Sequence, residues 1–408
     1  MQLDGQMHLS YCTNIHAADG WTAVLANLRR YAPALKRALS PHARFGLGLR
    51  LSAAEGGELL HGDNLRAFAD FLLENGLYVA LLNGFPYGQF HNCCVKQDVF
   101  GPDWRSHERV CYTLRLLDIL GRLLPQGIEG GISTIPLSYS QWVQPGDREA
   151  WAPMAANMAR VAAAMARVQQ ETGRHIHLDI EPEPWGLLQT SADVVAFFRD
   201  WLLPVGSPIL HDELGVTASA AAELIREHVR VCFDSCHFAV QYENPEAVLE
   251  SLTASGIKIG RVQVSSALRI VLPSDKEARH RLQRELACFA EPTYLHQVVE
   301  RRKDGSLASY PDLPHALPCI FNPAAEVWRV HFHVPIFVKS YGALGSTHEY
   351  TGRVLDLVRR RRFTEHLEIE TYTWDVLPKR DSDLAASIAR EYRWVLEQFS
   401  AEALKVPA

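Results

Sequence analysis

Short runs in which apolar residues dominate or alternate with polar ones recur along the chain. They read HLSYCTNIH (8–16), FGLGLRLS (45–52), LYVALLNGF (77–85), GGISTIPLSY (130–139), HIHLDIEPEP (175–184), VRVCFDSCHF (229–238), IGRVQVSSAL (259–268) and HLEIETYTW (366–374). Each has the length and residue preference of a β-strand. Longer amphipathic stretches lie between them, among them WTAVLANLRRYAPALKRAL, NLRAFADFLLENG and AWAPMAANMARVAAAMARVQQETG. Apolar residues three and four apart predict helices there. Pro33 is expected to kink or end the first of these, and Gly76 and Gly173 stand where helix C-caps belong. Strand and helix alternating about eight times predicts an α/β chain folded as a single (β/α)8 TIM barrel spanning 1–408. An open doubly wound sheet would call for a glycine-rich phosphate loop after the first strand, and TNIHAADGW carries none.

One region breaks the rhythm. Within 270–338 a helical pattern, SDKEARHRLQRELACF, precedes a turn centred on KDG with alternating flanks. That turn predicts a β-hairpin. EVWRVHFHVPIFV then adds a ninth strand-like run. We expect 270–338 to be an insertion after strand seven that caps the C-terminal mouth of the barrel, with VWRVHFHVPIF as a barrel strand the weaker alternative.

Composition narrows the function classes. The chain has 408 residues, 47% of them hydrophobic, and a formal net charge of −6, enough for a large core. No basic stripe is present, which argues against nucleic acid as a partner. The one basic run, Arg359 to Arg362, falls at a predicted helix C-terminus, where cations oppose the helix dipole. Eight cysteines without CxxC spacing point to reduced, mostly buried thiols and a cytoplasmic protein. No run of about 18 apolar residues exists, so no direct membrane insertion is expected.

The chemistry clusters at predicted strand ends. Alternation over HLDIEPEP puts His177, Asp179, Glu181 and Glu183 on one strand face. Asp234 and His237 close the sixth run; His366, Glu368 and Glu370 alternate along the last. In a TIM barrel the strand C-termini form the active-site face. Glu181, Asp234, His237 and Glu370 therefore make a candidate site for a divalent metal, with Mn, Mg, Co or Zn suited to such oxygen and imidazole ligands. Glu181 and Glu370 on opposite sides of a cavity also suit base and acid in an isomerase or epimerase. Asn14, His16, Asn83, Tyr87 and His91 follow strand ends and are candidate pocket residues. Trp185 and Trp374 would wall a polar ring. Cys236 lacks an orienting partner in the sequence and is a poor candidate nucleophile.

The order EP on strand five, DxxH on strand six and a late Glu on strand eight resembles the xylose-isomerase-like TIM barrels. HLSYCTNIH, LNGFPYGQFH, ISTIPLSYS, IEPEP, CFDSCHFAV, VQVSSAL, RVHFHVPIF and LEIETYTWDVLP, in that order, resemble the family of the metabolite-traffic protein EboE. The resemblance implies a bacterial protein that processes or delivers a small, polar, sugar- or cyclitol-like metabolite, with a membrane protein of the same pathway as partner. It implies Glu181, Asp234, His237 and Glu370 as metal and substrate residues. Strand seven of the superfamily supplies a His ligand; here Gln263 stands at that place. His331 or His333 would have to compensate. Arg269, six after Gln263, is placed to hold a substrate oxygen or phosphate, or equally to be a solvated rim residue.

Overall fold

The computed structural model describes residues 1–3, 6–91, 93–377 and 383–400. Eight parallel strands form its centre: β1 (His8–Tyr11), β2 (Phe45–Arg50), β3 (Leu77–Asn83), β4 (Gly130–Thr134), β5 (Ile176–Ile180), β6 (Val229–Asp234), β7 (Ile259–Val264) and β8 (His366–Ile369). Every barrel strand is buried along its whole length, as strands covered on both faces must be. Their order is β1-β8-β7-β6-β5-β4-β3-β2, and a Cys12–Gly48 bridge joins the two edges. The sheet is a (β/α)8 barrel.

The strands are shorter than the apolar runs that announced them. After β1 the chain enters a 3-10 turn at Thr13–Ile15, and after β6 a helix at Ser235–Val240. The surplus residues are the strand-end loops. Pro33 does not end its helix: Trp21–Leu39 is continuous through it. Gly173 caps the helix Arg148–Thr172 at φ +71°, and Gly76 has φ +62°. The cysteines correct an expectation too: only Cys12, Cys232 and Cys236 are buried, and none is in a disulfide. Among the described residues no helix is long and apolar enough to cross a membrane.

The barrel interior explains part of the HLDIEPEP alternation. Arg261 of β7 donates to Asp179 Oδ2 at 2.9 Å and Glu368 Oε2 at 3.0 Å, and His177 Nδ1 lies 2.6 Å from Asp179 Oδ1. All four are fully buried. Burial opposes each charge, but His177 and Arg261 hold the Asp179 carboxyl below its usual range. Glycines make the room: a Cβ on Gly48 would lie 1.5 Å from Glu368 Oε1, and one on Gly260 1.9 Å from Asp179 Oδ1. His177 and Asp179 thus belong to an ion cluster that fills the barrel stem, below the strand ends.

The excursion after β7 is an antiparallel sheet of six strands. Their order is Leu307–Tyr310, Val298–Arg302, Ala325–Val330, Leu268–Val271, Leu344–Ser346 and Ser340–Tyr341. The KDG hairpin joins the first two, with Gly305 at φ +83°. This sheet begins before residue 270 and continues past 338, so the expected limits were too narrow. VWRVHFHVPIF is not a barrel strand; its strand stops at Val330, and His331 and His333 follow it.

The last helix, Leu384–Phe399, buries Glu391, which accepts from Thr371 Oγ1 at 2.6 Å and the Ile336 N–H at 3.3 Å. Burial pushes its pKa up to about 8. Unfolded, the same carboxyl ionises near 4.5, so between these values the folded chain holds the extra proton and stability falls as pH rises. We expect Glu391→Gln to remove that slope. Between about pH 6 and pH 8 the wild type should lose on the order of 2 kcal/mol relative to the variant. Urea midpoints at both pH values test it; parallel pH dependences would refute it.

Candidate functional site

Three strand ends aim carboxylates into the mouth of the barrel. Glu181 follows β5, its N–H bonded to Thr134 O at 3.0 Å, and Pro182 then ends the ladder. Asp234 closes β6 and caps the helix after it. Its Oδ1 accepts from the N–H groups of Cys236 (2.7 Å) and His237 (3.2 Å) and from Ser265 Oγ (2.6 Å). That locks Oδ1 and leaves Oδ2 buried without a hydrogen-bond partner. Glu370 follows β8, and its Oε1 accepts from Asn14 Nδ2 (2.7 Å) and Asn83 Nδ2 (3.1 Å). Oxygens of Glu181, Asp234 and Glu370 lie within 4.8 Å of one another. The two glutamates lean in from different strands and both line the cavity, one oxygen of each within 4.8 Å of the other.

Three imidazoles close over them. His237 comes from the helix that Asp234 caps. His331 and His333 come from the extended segment after Ala325–Val330, pinned by His331 N–H to Gln297 O and Val334 N–H to Ser266 O, both 2.8 Å. Each ring's Nδ1 faces an oxygen: Pro182 O at 3.0 Å for His237, Gln297 Oε1 at 2.6 Å for His331, and Glu370 O at 2.8 Å for His333. A carbonyl oxygen only accepts, and Gln297 Nε2 is already donating to Glu183 Oε1 (2.9 Å) and Pro184 O (3.0 Å). These partners place the proton on Nδ1 in all three rings and leave the Nε2 lone pairs pointing inward. His237 Nε2 and His331 Nε2 stand 3.0 Å apart. Asp234 Oδ2 is 3.9 Å from both His237 Nε2 and His333 Nε2.

Electrostatics agree with the geometry. Burial first, then the neighbouring carboxylates, drive the pKa values of Glu181 and Glu370 well above the usual range. Burial lowers His237 and takes His333 down to about 3, so those rings are neutral. For Asp234 burial opposes ionisation but is outweighed, and the group is held low, with the Ser265 hydroxyl donating to its Oδ1. Glu181 Oε2, Asp234 Oδ2 and His333 Nε2 are buried without a hydrogen-bond partner. Unpaired buried acceptors are costly, and several turned toward one point fit a bound cation. Two ligand atoms about 2.1 Å from one ion and at right angles stand about 3.0 Å apart, the spacing of the two Nε2 atoms. Cys236 Sγ also reaches His331 and His333, but burial raises its thiol pKa well above normal, so it is a poor nucleophile.

The cavity takes in Glu181, Glu183, Glu370, His237, His331 and His333, with Asn14 and Asn83 beside them. Six residues read from the sequence as ligands or pocket lining are elsewhere. Gln263 is buried behind the site, its Oε1 taken by Cys232 Sγ at 2.6 Å. Arg269 is exposed, on a strand whose alternate residues face outward. His16 stacks on Tyr31 at 4.4 Å, Tyr87 packs on Tyr112 at 5.2 Å, Trp185 leans toward Tyr139, and Trp374 packs in the core. Strand-end position told that each lay near the mouth, not which way its side chain turned. His91 stands one layer back, between Asn14 O and the Tyr294 hydroxyl. The sequence reading missed Gln297, Ser265 and Tyr372. Only Tyr372, two after Glu370, carried a signal in its spacing.

No protein-family model matches the chain, and no curated protein matches it. Solved structures do. A xylose isomerase-like TIM barrel protein from Mycobacterium smegmatis, in complex with magnesium, is 12% identical over 96% of each chain, with a TM-score of 0.49. The IOLI protein, with a bound zinc atom, is 10% identical over 97% of this chain and 100% of that one, at 0.45. The probable 3-DHS dehydratase AsbF of Bacillus anthracis is 10% identical over 96% and 99%, at 0.44. The chain is similar to these barrels at TM-scores below 0.5, and the likeness says nothing about its chemistry.

Proposed function

We propose that the protein is a divalent-metal-dependent enzyme that moves a proton on a small hydroxy-carbonyl metabolite, as sugar isomerases and epimerases do. One observation carries this reading: unpartnered acceptors of Glu181, Asp234 and His333 converge with the facing lone pairs of His237 and His331. Glu181, Asp234, His237 and Glu370, with His333 or His331 in place of a strand-seven ligand, would hold the ion. Three imidazole nitrogens favour Mn²⁺, Co²⁺ or Zn²⁺ over Mg²⁺. Such an ion supplies Lewis acidity toward a carbonyl oxygen. Glu181 serves as base at the carbon beside the carbonyl. Glu370 serves as acid, steadied on one oxygen by Asn14 and Asn83. The six-stranded excursion shields the mouth from water.

Metal titration tests the site. Stripped protein is melted with each of the four ions. An ion at about a hundred times its Kd should add about 2.7 kcal/mol of stability to the wild type. Asp234→Asn should abolish the response. If that variant responds like the wild type, the ligand assignment falls.

Gln263 favours a second reading. The strand-seven place carries a neutral side chain that does not line the cavity. On this reading, which accords with the EboE resemblance, the mouth holds a metabolite and passes it to a membrane-protein partner without chemistry. Deuterium wash-in from solvent into a bound hydroxy-ketone separates the two: the enzyme reading requires it, delivery does not.

A further inference from the structure

The proposed metal centre occupies only the floor of the cavity. Its walls are apolar: Phe85, Phe90, Val95, Val99, Leu295 and Tyr372 line it. Phe90, Tyr294 and Tyr372 pack on one another with ring centroids 4.9 to 5.1 Å apart. Mutual packing fixes these rings as a wall, and Tyr372 sits 4.6 Å from the His333 ring. The apolar surface therefore begins where the polar floor ends. A bare polyol would leave its hydroxyls unpaired against that wall.

The charge of the cavity is equally selective. Glu181, Glu183 and Glu370 line it, and Lys96 is the only lysine or arginine among its described lining residues. Lys96 is committed elsewhere. Its Nζ donates to Tyr294 O (2.6 Å), Asp312 Oδ2 (2.7 Å) and Glu291 O (3.3 Å), which uses all three N–H bonds. Arg269, the residue the sequence offered for a phosphate, is on the outside. Away from the metal floor, a phosphate would meet no free lysine or arginine among the described lining residues.

We propose that the substrate is an uncharged α-hydroxycarbonyl compound bearing a planar apolar ring. Its oxygens face Glu181, Glu370 and the imidazoles, and its ring lies on the wall of Phe90, Tyr294 and Tyr372. The assignment of the polar end rests on the proton-transfer reading above; the preference for a ring rests on the walls alone. Three probes resolve the classes: 2-hydroxyacetophenone, dihydroxyacetone and dihydroxyacetone phosphate. Each is titrated into full-length protein, with and without Mn²⁺, and followed by tryptophan fluorescence and calorimetry. The aromatic ketone is expected to bind at least about tenfold more tightly than dihydroxyacetone, and the phosphate no more tightly than its parent. Phe90→Ala should erase the aromatic preference while metal-induced stabilisation persists; Phe90→Leu, which keeps an apolar side chain there, should retain part of it. Equal binding of the two ketones, tighter binding of the phosphate, or no binding of the aromatic ketone up to its solubility would overturn the proposal. A protein that prefers the aromatic ketone but ignores Mn²⁺ would keep the substrate class and sink the metal reading instead. One that binds Mn²⁺ without the preference would do the reverse.

Discussion

Glu181→Gln and Glu370→Gln are each expected to slow solvent-deuterium wash-in into a bound hydroxy-ketone about a thousandfold, because a positioned acid or base contributes about 10² to 10⁴ in rate. Glutamine keeps the shape of each side chain and can still accept from Asn14 and Asn83 at position 370. It cannot carry the proton. The same substitutions should act in the opposite direction on the stability of the metal-free protein. Glu181, Asp234 and Glu370 crowd their oxygens within 4.8 Å in a buried site, and like charges so placed repel. Burial and this crowding raise both glutamate pKa values well above the usual range, so each must take up a proton on folding at neutral pH; glutamine removes that cost, and each metal-free variant should melt higher than the metal-free wild type. Lower activity with higher stability is the signature of a site held against its own folding preference. A wash-in rate within tenfold of wild type for either variant would remove that residue from the mechanism.

Arg261→Met is expected to produce the largest loss of stability, on the order of 3 to 5 kcal/mol, because breaking a buried pair strands its partner. Here there are two partners. Asp179 and Glu368 are fully buried and share one guanidinium, with His177 as a second partner for Asp179 alone. Methionine fills comparable volume, so the effect reports charge and hydrogen bonding more than a cavity. The urea midpoint measures it. Pairing Arg261→Met with Asp179→Asn should recover part of the loss, since one stranded charge is removed. If the double variant is as unstable as the sum of the singles, the cluster does not couple these residues and the interior has been misread.

The strand ends were legible because barrel strands report their geometry in sequence. A strand buried on both faces reads as an apolar run, and inward-facing polar residues recur at period two. His177, Asp179 and Glu181 could be put on one face from that period alone. Their division of labour could not. Whether an inward carboxylate is neutralised in the stem or left open at the mouth depends on what the other strands bring to the same depth. Arg261, 82 positions beyond Asp179, settles it for Asp179; nothing comparable reaches Glu181 Oε2.

The excursion shows the same limit from the other side. The KDG turn and the helix Lys276–Ala287 were readable, because turn chemistry and helical spacing are local. The destination of His331 and His333 was not local. Their alternation said only that they share a side. Pairing with Gln297 and Ser266 carries that side over the barrel mouth, next to Asp234. By itself, then, the chain's residue order determined the eight-fold alternation, the strand on which each carboxylate sits and the end of the barrel it approaches, because hydrophobic period and strand direction are properties of short segments. Tertiary structure alone decided that Gln263 and Arg269 stand aside, that three imidazoles present lone pairs to three carboxylates, and that an aromatic wall rises beside them. Those are facts about side chains from distant segments meeting at one depth, and no single segment holds that information.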